Sequence, residues 1–393
     1  MSILSFRIPR CHADWLRFFL AAGCIAGLAL SRNLWLTTRS FPLTPVWGAI
    51  RPLPPPWDGA LFDAMLALLG WIGLTDRPRI PLAVFFLMAV GVCLEDQSRW
   101  QPWFYQYLVM LLCLGLARRK DEVAGLNACR LIIAAIYIWS GVAKLNPSFL
   151  HTTFPELTEP FTHAWPSLQR SVFQRAGILA CILECALGLG LCTQRFRRAA
   201  MVGAIAMHLG ILLAIGPLGI AYNRVVWPWN VAMIAFLAIL FGSADGPPAR
   251  DILWGRSFVF HRVVAILFVI APAFRMVNLW DSYLSFALYS GNQHAAKIYL
   301  TDATFDRLPD ELQDYVYEDG PNLNHVSITN WSLGELKVPP YSEVRIFESA
   351  ARRICAVTGN APDIRLAIHT RYGLVESNRD VSRTCEDLAR RLE

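Results

Sequence analysis

Nine apolar segments separated by short polar loops constrain the fold of this chain more than any single motif does. They are residues 15–31, 60–74, 80–94, 103–117, 128–145, 176–192, 199–217, 226–241 and 263–280. A helix needs about 20 largely apolar residues to cross the hydrocarbon layer, with roughly 17 as the lower limit. Charged residues make up 17% of the 393 residues, whereas about a quarter is usual in soluble proteins. The sequence therefore predicts a polytopic α-helical membrane protein with about nine transmembrane helices.

The first three segments admit a second interpretation. The second and third are short, which is compatible with tilted or partly re-entrant helices. In the first, Arg17 precedes an apolar stretch that ends in small residues, as in a secretory signal peptide. We favour a retained membrane anchor, because Trp15 and Leu16 lengthen the segment and no clean small-x-small cleavage site precedes Arg32.

The charges of the loops set the orientation, because short loops rich in Lys and Arg stay on the cytoplasmic side. With the N-terminus inside, the cytoplasmic set is Arg7, Arg10, Arg17, Arg77, Arg79, Arg118, Arg119, Lys120, Arg195, Arg197, Arg198, Arg250, Arg256 and Arg262. Nine spans then place the C-terminal region outside. The net charge of +6 follows this topology and forms no basic stripe, so we expect no nucleic-acid partner.

Residues 281–393 have ordinary polarity and no apolar run of membrane length. Alternating apolar residues predict strands at 283–289, 297–300, 326–329 and 363–369. Residues 342–357 place Val344, Phe347, Ala351 and Ile354 on one helical face. We therefore divide the chain into a transmembrane domain, residues 1–280, and a small extracytoplasmic α/β domain, residues 281–393.

Cys355 and Cys385 are the only two of the ten cysteines that lie in residues 281–393. A pair of cysteines in an oxidising compartment favours a disulfide. Closing a loop of about 30 residues stabilises a fold by about 3–4 kcal/mol. No Cys-x-x-Cys motif occurs, which argues against a thioredoxin-like dithiol.

Lys144 ends the fifth apolar segment on the predicted outer side. An ammonium group beside the hydrocarbon is costly, and partial burial makes it usable as a base or as an anchor for an anion. The alternative is a lysine that extends to the lipid headgroups and has no chemical role. Placement alone leaves both interpretations open.

Glu184 and His208 are the clearest ionisable residues deep inside apolar segments. Such residues are expensive in lipid and are functional hypotheses by default. Glu184 shares a helix face with Cys181 and Gly188, so we expect a neighbouring helix to approach closely there. If Glu184 and His208 meet, the pair would relay protons or bind a quinone carbonyl. The alternative is that each is a hydrogen-bonded packing residue.

Two sets of outer residues complete the candidate site. The loop 95–103 is dense in hydrogen-bonding groups, either as a solvated loop or as one wall of an outward-facing pocket. The other pocket candidates are Lys144, Tyr222, Asn223, Arg224 and Asn230. The Trp-rich and Pro-rich outer loops fit interfacial anchoring or a substrate vestibule.

The segment Tyr137-x-x-x-Gly141-x-x-Lys144-Leu145 resembles the HTTM superfamily (horizontally transferred transmembrane domain), which includes the vitamin K-dependent γ-glutamyl carboxylase. The DoxX- and MauE-like membrane families also carry a span ending in Gly-x-x-Lys-Leu. The likeness covers roughly residues 15–280. It continues through the helix of Glu184, the stretch Met207-His208-Leu209 and the stretch Trp227-Pro-Trp-Asn230.

This resemblance implies a carboxylase-like membrane enzyme that acts on an extracytoplasmic protein or peptide, with a quinone or a reduced vitamin K-like lipid as its partner and no metal. The resemblance carries a catalytic role over only to Lys144. Glu184 and His208 are predicted catalytic residues because they are ionisable groups inside apolar segments. The expected substrate-binding residues are Tyr137, Gln106, Arg224 and Asn230. Tyr105 stands where the carboxylases are expected to have a histidine.

Two other classes remain open: a DoxX-like redox accessory protein, and a non-catalytic receptor or assembly factor. An enzyme should bring Lys144, Glu184 and His208 around one site. The other classes should leave them scattered. Motifs for phosphate loops, dinucleotide folds, zinc proteases and serine esterases do not occur. We expect the protein in the bilayer of a bacterial inner membrane.

Overall fold

The computed structural model describes residues 9, 11–117, 122–162, 169–243, 246–255, 259–374 and 379–390. The chain divides into two compact units. The helical unit comprises Met1–Leu30, Asp63–Val90 and Gln101–Asn292. The sheet unit comprises Ser31–Phe62, Gly91–Trp100 and Gln293–Glu393. Two segments between predicted spans thus join the C-terminal region in one unit.

Each of the nine predicted spans coincides with a helix. The helices up to the last span are α1 His12–Leu30, α2 Arg32–Trp35, α3 Trp57–Leu74, α4 Arg79–Glu95, α5 Pro102–Leu116, α6 Glu122–Lys144, α7 Phe154–Thr162, α8 Gln169–Cys192, α9 Arg197–Ile215, α10 Val226–Phe241 and α11 Ala249–Trp254. A 3₁₀ turn, Gln97–Arg99, precedes α5, and a π-helical turn, Phe149–Thr153, precedes α7.

The last span changes its helical pitch twice. It begins as α12, Val259–Ala265, widens into a π-helix at Ile266–Ile270 and tightens into a 3₁₀-helix at Ala271–Val277. Proline has no N–H and therefore breaks the regular ladder near its position, and Pro272 lies in the first turn of the 3₁₀ stretch. The indole of Trp139 donates to the carbonyl of Val269 at 3.1 Å, which satisfies a backbone group inside the apolar layer.

Six helices of the described residues are long and apolar enough to cross a membrane. They are His12–Leu30, Trp57–Leu74, Glu122–Lys144, Arg175–Cys192, Arg197–Ile215 and Val259–Val277. The helices α4, α5 and α10 have 17, 15 and 16 residues and are therefore shorter than the 18 residues required of such a helix. The chain is therefore an integral membrane protein by the length and composition of its helices.

The surfaces of these helices are apolar where they are exposed. On α4 the exposed residues Ile80, Val84 and Leu87 repeat at helical spacing, and on α8 Leu179 and Ile182 are also exposed. An apolar surface of this extent is unfavourable in water and suits contact with lipid. Glu184, in the middle of α8, is buried, which is the arrangement expected of an ionisable residue inside a membrane span.

Helix α6 packs closely against α8 through two glycines. A Cβ atom on Gly141 would lie 2.5 Å from the Sγ of Cys185 and 2.8 Å from the carbonyl oxygen of Cys181. A Cβ atom on Gly188 would lie 2.7 Å from the carbonyl oxygen of Ala134. Small residues allow this close approach between membrane helices. The expected close contact on the Glu184 face of α8 is confirmed.

The sheet unit contains one antiparallel sheet of five strands in the order β2-β3-β1-β4-β5. The strands are β1 Ala295–Leu300, β2 Val316–Gly320, β3 Leu323–Ser327, β4 Arg365–His369 and β5 Asp380–Thr384. The helices are α13 Asp302–Phe305, α14 Asp310–Gln313, α15 Ile328–Leu336, α16 Val344–Val357 and α17 Cys385–Arg390. Ile298 pairs with Val326 on one side and with Leu366 on the other, so these three buried residues form a continuous row of the core.

The predicted strands at 297–300 and 363–369 and the predicted helix at 342–357 are confirmed as β1, β4 and α16. The predicted strand at 283–289 is wrong. That stretch consists of turns, and Phe286 and Tyr289 have φ angles of 55° and 54°. A left-handed backbone cannot continue a strand. Its aromatic residues pack within the helical unit instead: Phe286 stacks near Tyr105 with ring centroids 6.0 Å apart.

Cys355 and Cys385 form the predicted disulfide, which joins α16 to α17. We expect Cys355→Ser, Cys385→Ser and the double variant to lose the same free energy of unfolding, about 3–4 kcal/mol, because each removes the same loop constraint. Chemical denaturation followed by tryptophan fluorescence measures this. Additive losses in the double variant would show that the two thiols act independently. Cys93→Ser, in the same unit, is the control for loss of a thiol.

Two carboxylates accept hydrogen bonds from the interhelical segments of the sheet unit. Glu335 of α15 accepts hydrogen bonds from the Ser40 hydroxyl and the Phe41 N–H, both at 2.7 Å. Asp96 accepts from the guanidinium of Arg39 and from the N–H of Ser98 at 3.1 Å. Burial lowers the pKa of Arg39 even though the Asp96 carboxylate raises it. The carboxylate of Asp96 and the N–H of Ser98, both in loop 95–103, therefore make their hydrogen bonds inside the sheet unit.

Asp363 makes the sheet unit sensitive to acid. Burial raises the pKa of this carboxyl, but the hydrogen bonds from Thr301 and Thr304 together lower it by more. The net pKa of Asp363 therefore lies below its ordinary value. A depressed pKa contributes stability above the unfolded value, near pH 4, that is lost as the pH falls through the folded value. Asp363→Asn should therefore lower the thermal midpoint at pH 7 and flatten its decline between about pH 5 and pH 3.

The control for this prediction is Asp306→Asn, because Asp306 is exposed and should leave the decline unchanged. Thermal unfolding by circular dichroism across that pH range measures both variants. If Asp363→Asn keeps the full acid-dependent decline, other carboxyls cause it.

Candidate functional site

Lys144 and Glu184 form a charge pair between α6 and α8. The Nζ of Lys144 donates to Oε2 of Glu184 at 2.6 Å and to the hydroxyl of Ser140, one turn earlier, at 2.7 Å. The two charged side chains are 16% and 10% exposed. Because the pair is largely shielded, removing either partner leaves a costly uncompensated charge. The lysine thus has a specific partner, and it does not simply extend outward to the headgroups.

His208 lies at the centre of a second hydrogen-bonded group. Its Nε2 is 2.6 Å from the phenol oxygen of Tyr137 on α6. Its Nδ1 is 2.7 Å from Oδ1 of Asn230 on α10. All three side chains are buried. The amide nitrogen of Asn230 donates to the carbonyl of Val226 at 2.8 Å. Both polar atoms of the Asn230 side chain therefore have hydrogen-bond partners.

The two groups are neighbours on α6. Tyr137, Ser140 and Lys144 follow one another at spacings of three and four residues, which places them on one face of the helix. Tyr137 bonds to His208 and Lys144 bonds to Glu184. Helix α6 therefore links Lys144, Glu184 and His208 in one region. Glu184 pairs with Lys144, however, and His208 bonds to Tyr137, so the expected direct contact between Glu184 and His208 is not observed.

Gln106 belongs to a separate hydrogen-bonded group that also involves α10. Its Oε1 accepts from the indole of Trp229 at 2.8 Å, and its amide nitrogen is 3.2 Å from the sulfur of Met233. Gln106 is fully buried. It contacts the helix of Asn230 without joining the His208 chain. Tyr105, beside it, stacks on Phe268 of the last span with ring centroids 4.9 Å apart.

Arg224 is exposed in the loop before α10, and its backbone carbonyl accepts a hydrogen bond from the N–H of Trp227 at 3.2 Å. Its predicted role in substrate binding stays a prediction. The neighbouring Asn223 donates to the phenol oxygen of Tyr289 at 2.9 Å. Asn223 thus has a packing role, whereas Asn230 belongs to the buried chain.

Sequence reasoning missed two members of this region. Ser140 was detectable, because it precedes Lys144 by four residues and therefore lies on the same helix face. Cys185, whose thiol donates to the carbonyl of Ile138 at 3.5 Å, follows Glu184 directly but gave no signal of its own. Among the described residues, no group of three or more His, Cys, Asp and Glu side chains is placed to hold a metal ion.

Compared with protein-family models, curated proteins and solved structures, the chain matches none. The fold and the site nevertheless define a class. The protein is an integral membrane protein in which polar and ionisable side chains of α6, α8, α9 and α10 form two hydrogen-bonded groups along α6.

Proposed function

We propose that the protein is a carboxylase-like membrane enzyme of the HTTM type that acts at the outer membrane face with a quinone-like lipid. The observation that carries this proposal is the convergence of Lys144, Glu184 and His208. Burying a charge pair and a histidine among apolar helices costs free energy. Folds seldom keep such groups together without a chemical use, since hydrophobic replacements of similar volume are often as stable.

The chemistry of these side chains suits a quinone-like ligand. A quinone has two carbonyl oxygens on an apolar ring, and Lys144 supplies an N–H donor. Lys144 serves as a base or as an anchor for an anion, and Glu184 and His208 handle protons. Ile182 and Leu183, next to Glu184, are more than half exposed at 52% and 53%, which supports a lateral approach from the lipid.

The topology in this proposal has nine spans, a cytoplasmic N-terminus and an outer sheet unit in a bacterial inner membrane. The disulfide between Cys355 and Cys385 supports an oxidising location for the sheet unit. In this arrangement the substrate is an extracytoplasmic protein or peptide. The loop charges supply the orientation.

A non-catalytic receptor or a DoxX-like accessory protein is the second candidate. One observation favours a receptor. A pocket with a volume of about 520 Å³ lies on the sheet, and its lining includes Lys297, Tyr299, His325 and His369. The rings of Tyr299 and His325 have centroids 6.0 Å apart. Aromatic residues of this kind are enriched where proteins bind partners.

The test compares the lipids that co-purify with the protein in a mild detergent. Mass spectrometry should find a quinone with the wild type and lose it with Lys144→Ala, whereas Lys337→Ala in the sheet unit should retain it. Lys337 is the matched control because it is an exposed lysine. Ordinary phospholipid alone in all three samples would contradict the proposal and shift attention to partners of the sheet.

A further inference from the structure

Asp63 is an acidic residue inside a helix of membrane length. Helix α3, Trp57–Leu74, is one of the six helices that are long and apolar enough to cross a membrane. Asp63 is the seventh residue of this helix. At 1.5 Å per residue, Asp63 lies about 9 Å along the axis from Trp57. Its side chain is too short to reach the headgroups in the way that a long lysine side chain does. In a membrane, the carboxylate therefore lies in the apolar layer.

The carboxylate is on the side of α3 that faces away from the protein. Within the helical unit, Met65, Leu69 and Ile72 are buried and form the packed face of α3. Asp63 precedes Met65 by two residues, which places it about 200° around the helix from Met65. Asp63 is exposed. It therefore lies on the face of α3 that lipid or another membrane protein would contact.

Small residues follow Asp63 along the same face. Ala67, one turn later, is exposed. A Cβ atom on Gly70 would have no neighbouring atom within 4 Å. Small residues on a membrane helix allow the backbone of another helix to approach closely. The surface beside the carboxylate is therefore open to a second helix.

The Asp63 carboxylate also differs from the ionisable groups of other spans. Glu184 is paired with Lys144 at 2.6 Å, and Arg130 donates to the carbonyl of Leu240 at 2.7 Å. Among the residues that the structure describes, the Asp63 carboxylate has neither a hydrogen-bond donor nor an ion-pair partner. Ionisable groups inside membrane spans almost always have a partner, because exposure to lipid is costly. A partner for Asp63 is therefore to be sought outside this chain.

We propose that the Asp63 face of α3 binds a transmembrane helix of a different protein, and that this helix presents a lysine or an arginine at the depth of Asp63. A basic side chain is the complement of the carboxylate and forms a charge-assisted hydrogen bond with it. A second copy of this chain does not supply that group. Two copies joined through this face would bring two carboxylates together, which is unfavourable. The exposed basic residues next to α3, Arg77 and Arg79, follow its opposite end.

The test measures the binding of a designed helix in lipid nanodiscs. The probe is a synthetic peptide of about 20 leucine and alanine residues that carries one lysine at the depth of Asp63. Energy transfer from a labelled protein to a labelled peptide reports binding. The wild type should bind this peptide about tenfold more tightly than a peptide with leucine in place of the lysine. Asp63→Leu should remove the difference, because the peptide lysine then has no carboxylate to pair with.

Two further variants locate the bound helix. Leu87→Ala is the matched control, because Leu87 is an exposed residue of α4, and it should bind both peptides as the wild type does. Gly70→Leu keeps the carboxylate but fills the space beside it, so it should weaken binding of the lysine peptide. If Gly70→Leu binds as tightly as the wild type, the helix does not lie along this face and the proposal is wrong.

Two other results would overturn the choice of partner. Equal affinity of the wild type for the lysine and leucine peptides would show that Asp63 does not select a basic helix. Energy transfer between two differently labelled copies of this chain, lost in Asp63→Leu, would show that the partner is a second copy. The proposal does not depend on the proposed enzymatic function, because it uses neither Lys144 nor its neighbours.

Discussion

Replacing Arg99 with alanine should destabilise the sheet unit by about 4–5 kcal/mol, since it removes several hydrogen bonds and leaves buried acceptors unpaired. The guanidinium donates to the carbonyls of Leu34 and Trp35 at 3.1 and 3.0 Å. It also donates to the carbonyl of Val92 at 2.9 Å and lies 3.1 Å from the Glu95 carboxylate. Its side chain is 1% exposed. Urea unfolding followed by tryptophan fluorescence measures the loss.

Arg51→Ala is the matched control, because Arg51 is an exposed arginine of the same unit and should change stability by less than about 0.5 kcal/mol. Arg99→Lys keeps the charge but cannot reproduce the planar fork of donors. It should therefore recover only part of the loss. Equal stability of Arg99→Ala and Arg51→Ala would show that the loop segments are not held by Arg99.

The second large effect concerns the charge pair of α6 and α8. Lys144→Met and Glu184→Gln should each cost about 3–5 kcal/mol, because each leaves one shielded group without its partner. The double variant should cost much less than the sum, since neither charge then remains. The expected coupling energy is therefore about 2–3 kcal/mol.

Thermal unfolding in lipid nanodiscs measures this cycle, with circular dichroism following the helices. Glu156→Gln, on the exposed face of α7, is the control for loss of a carboxylate. Additive losses in the double variant would show that Lys144 and Glu184 do not stabilise each other. The charge pair would then no longer support the candidate site.

The helices were largely predictable, because an apolar segment of nearly membrane length predicts a helix whatever its neighbours in the fold are. The disulfide was predictable for a different reason, since residues 281–393 contain only two cysteines. The helix face shared by Tyr137 and Lys144 follows from a spacing of seven residues, or about two turns. These features depend on local pattern and composition.

The partners of the ionisable residues were not predictable, because they depend on how helices pack. Glu184 had two candidate partners, Lys144 and His208, and the close approach of α6 to α8 at Gly141 selects Lys144. His208 then bonds to Tyr137 and Asn230. Nothing in the separate stretches of sequence encodes that choice.

The edge strands β2 and β5 also escaped detection. Both are polar and short, and neither shows the clean alternation that predicts a strand. The prediction for 283–289 was wrong in the opposite way. Its aromatic residues resemble those of a strand, but the backbone is left-handed at Phe286 and Tyr289. Aromatic content alone does not distinguish a strand from a packed loop.

The sheet unit is assembled from three separate parts of the chain, Ser31–Phe62, Gly91–Trp100 and Gln293–Glu393. The first two leave the ribosome long before β1 and must wait, because Ser40 and Phe41 find their acceptor only when Glu335 has been made. Completion of this unit therefore requires that all three parts emerge on the same side of the membrane. A chain in which one part lies on the opposite side would leave Ser40 and Phe41 without their acceptor.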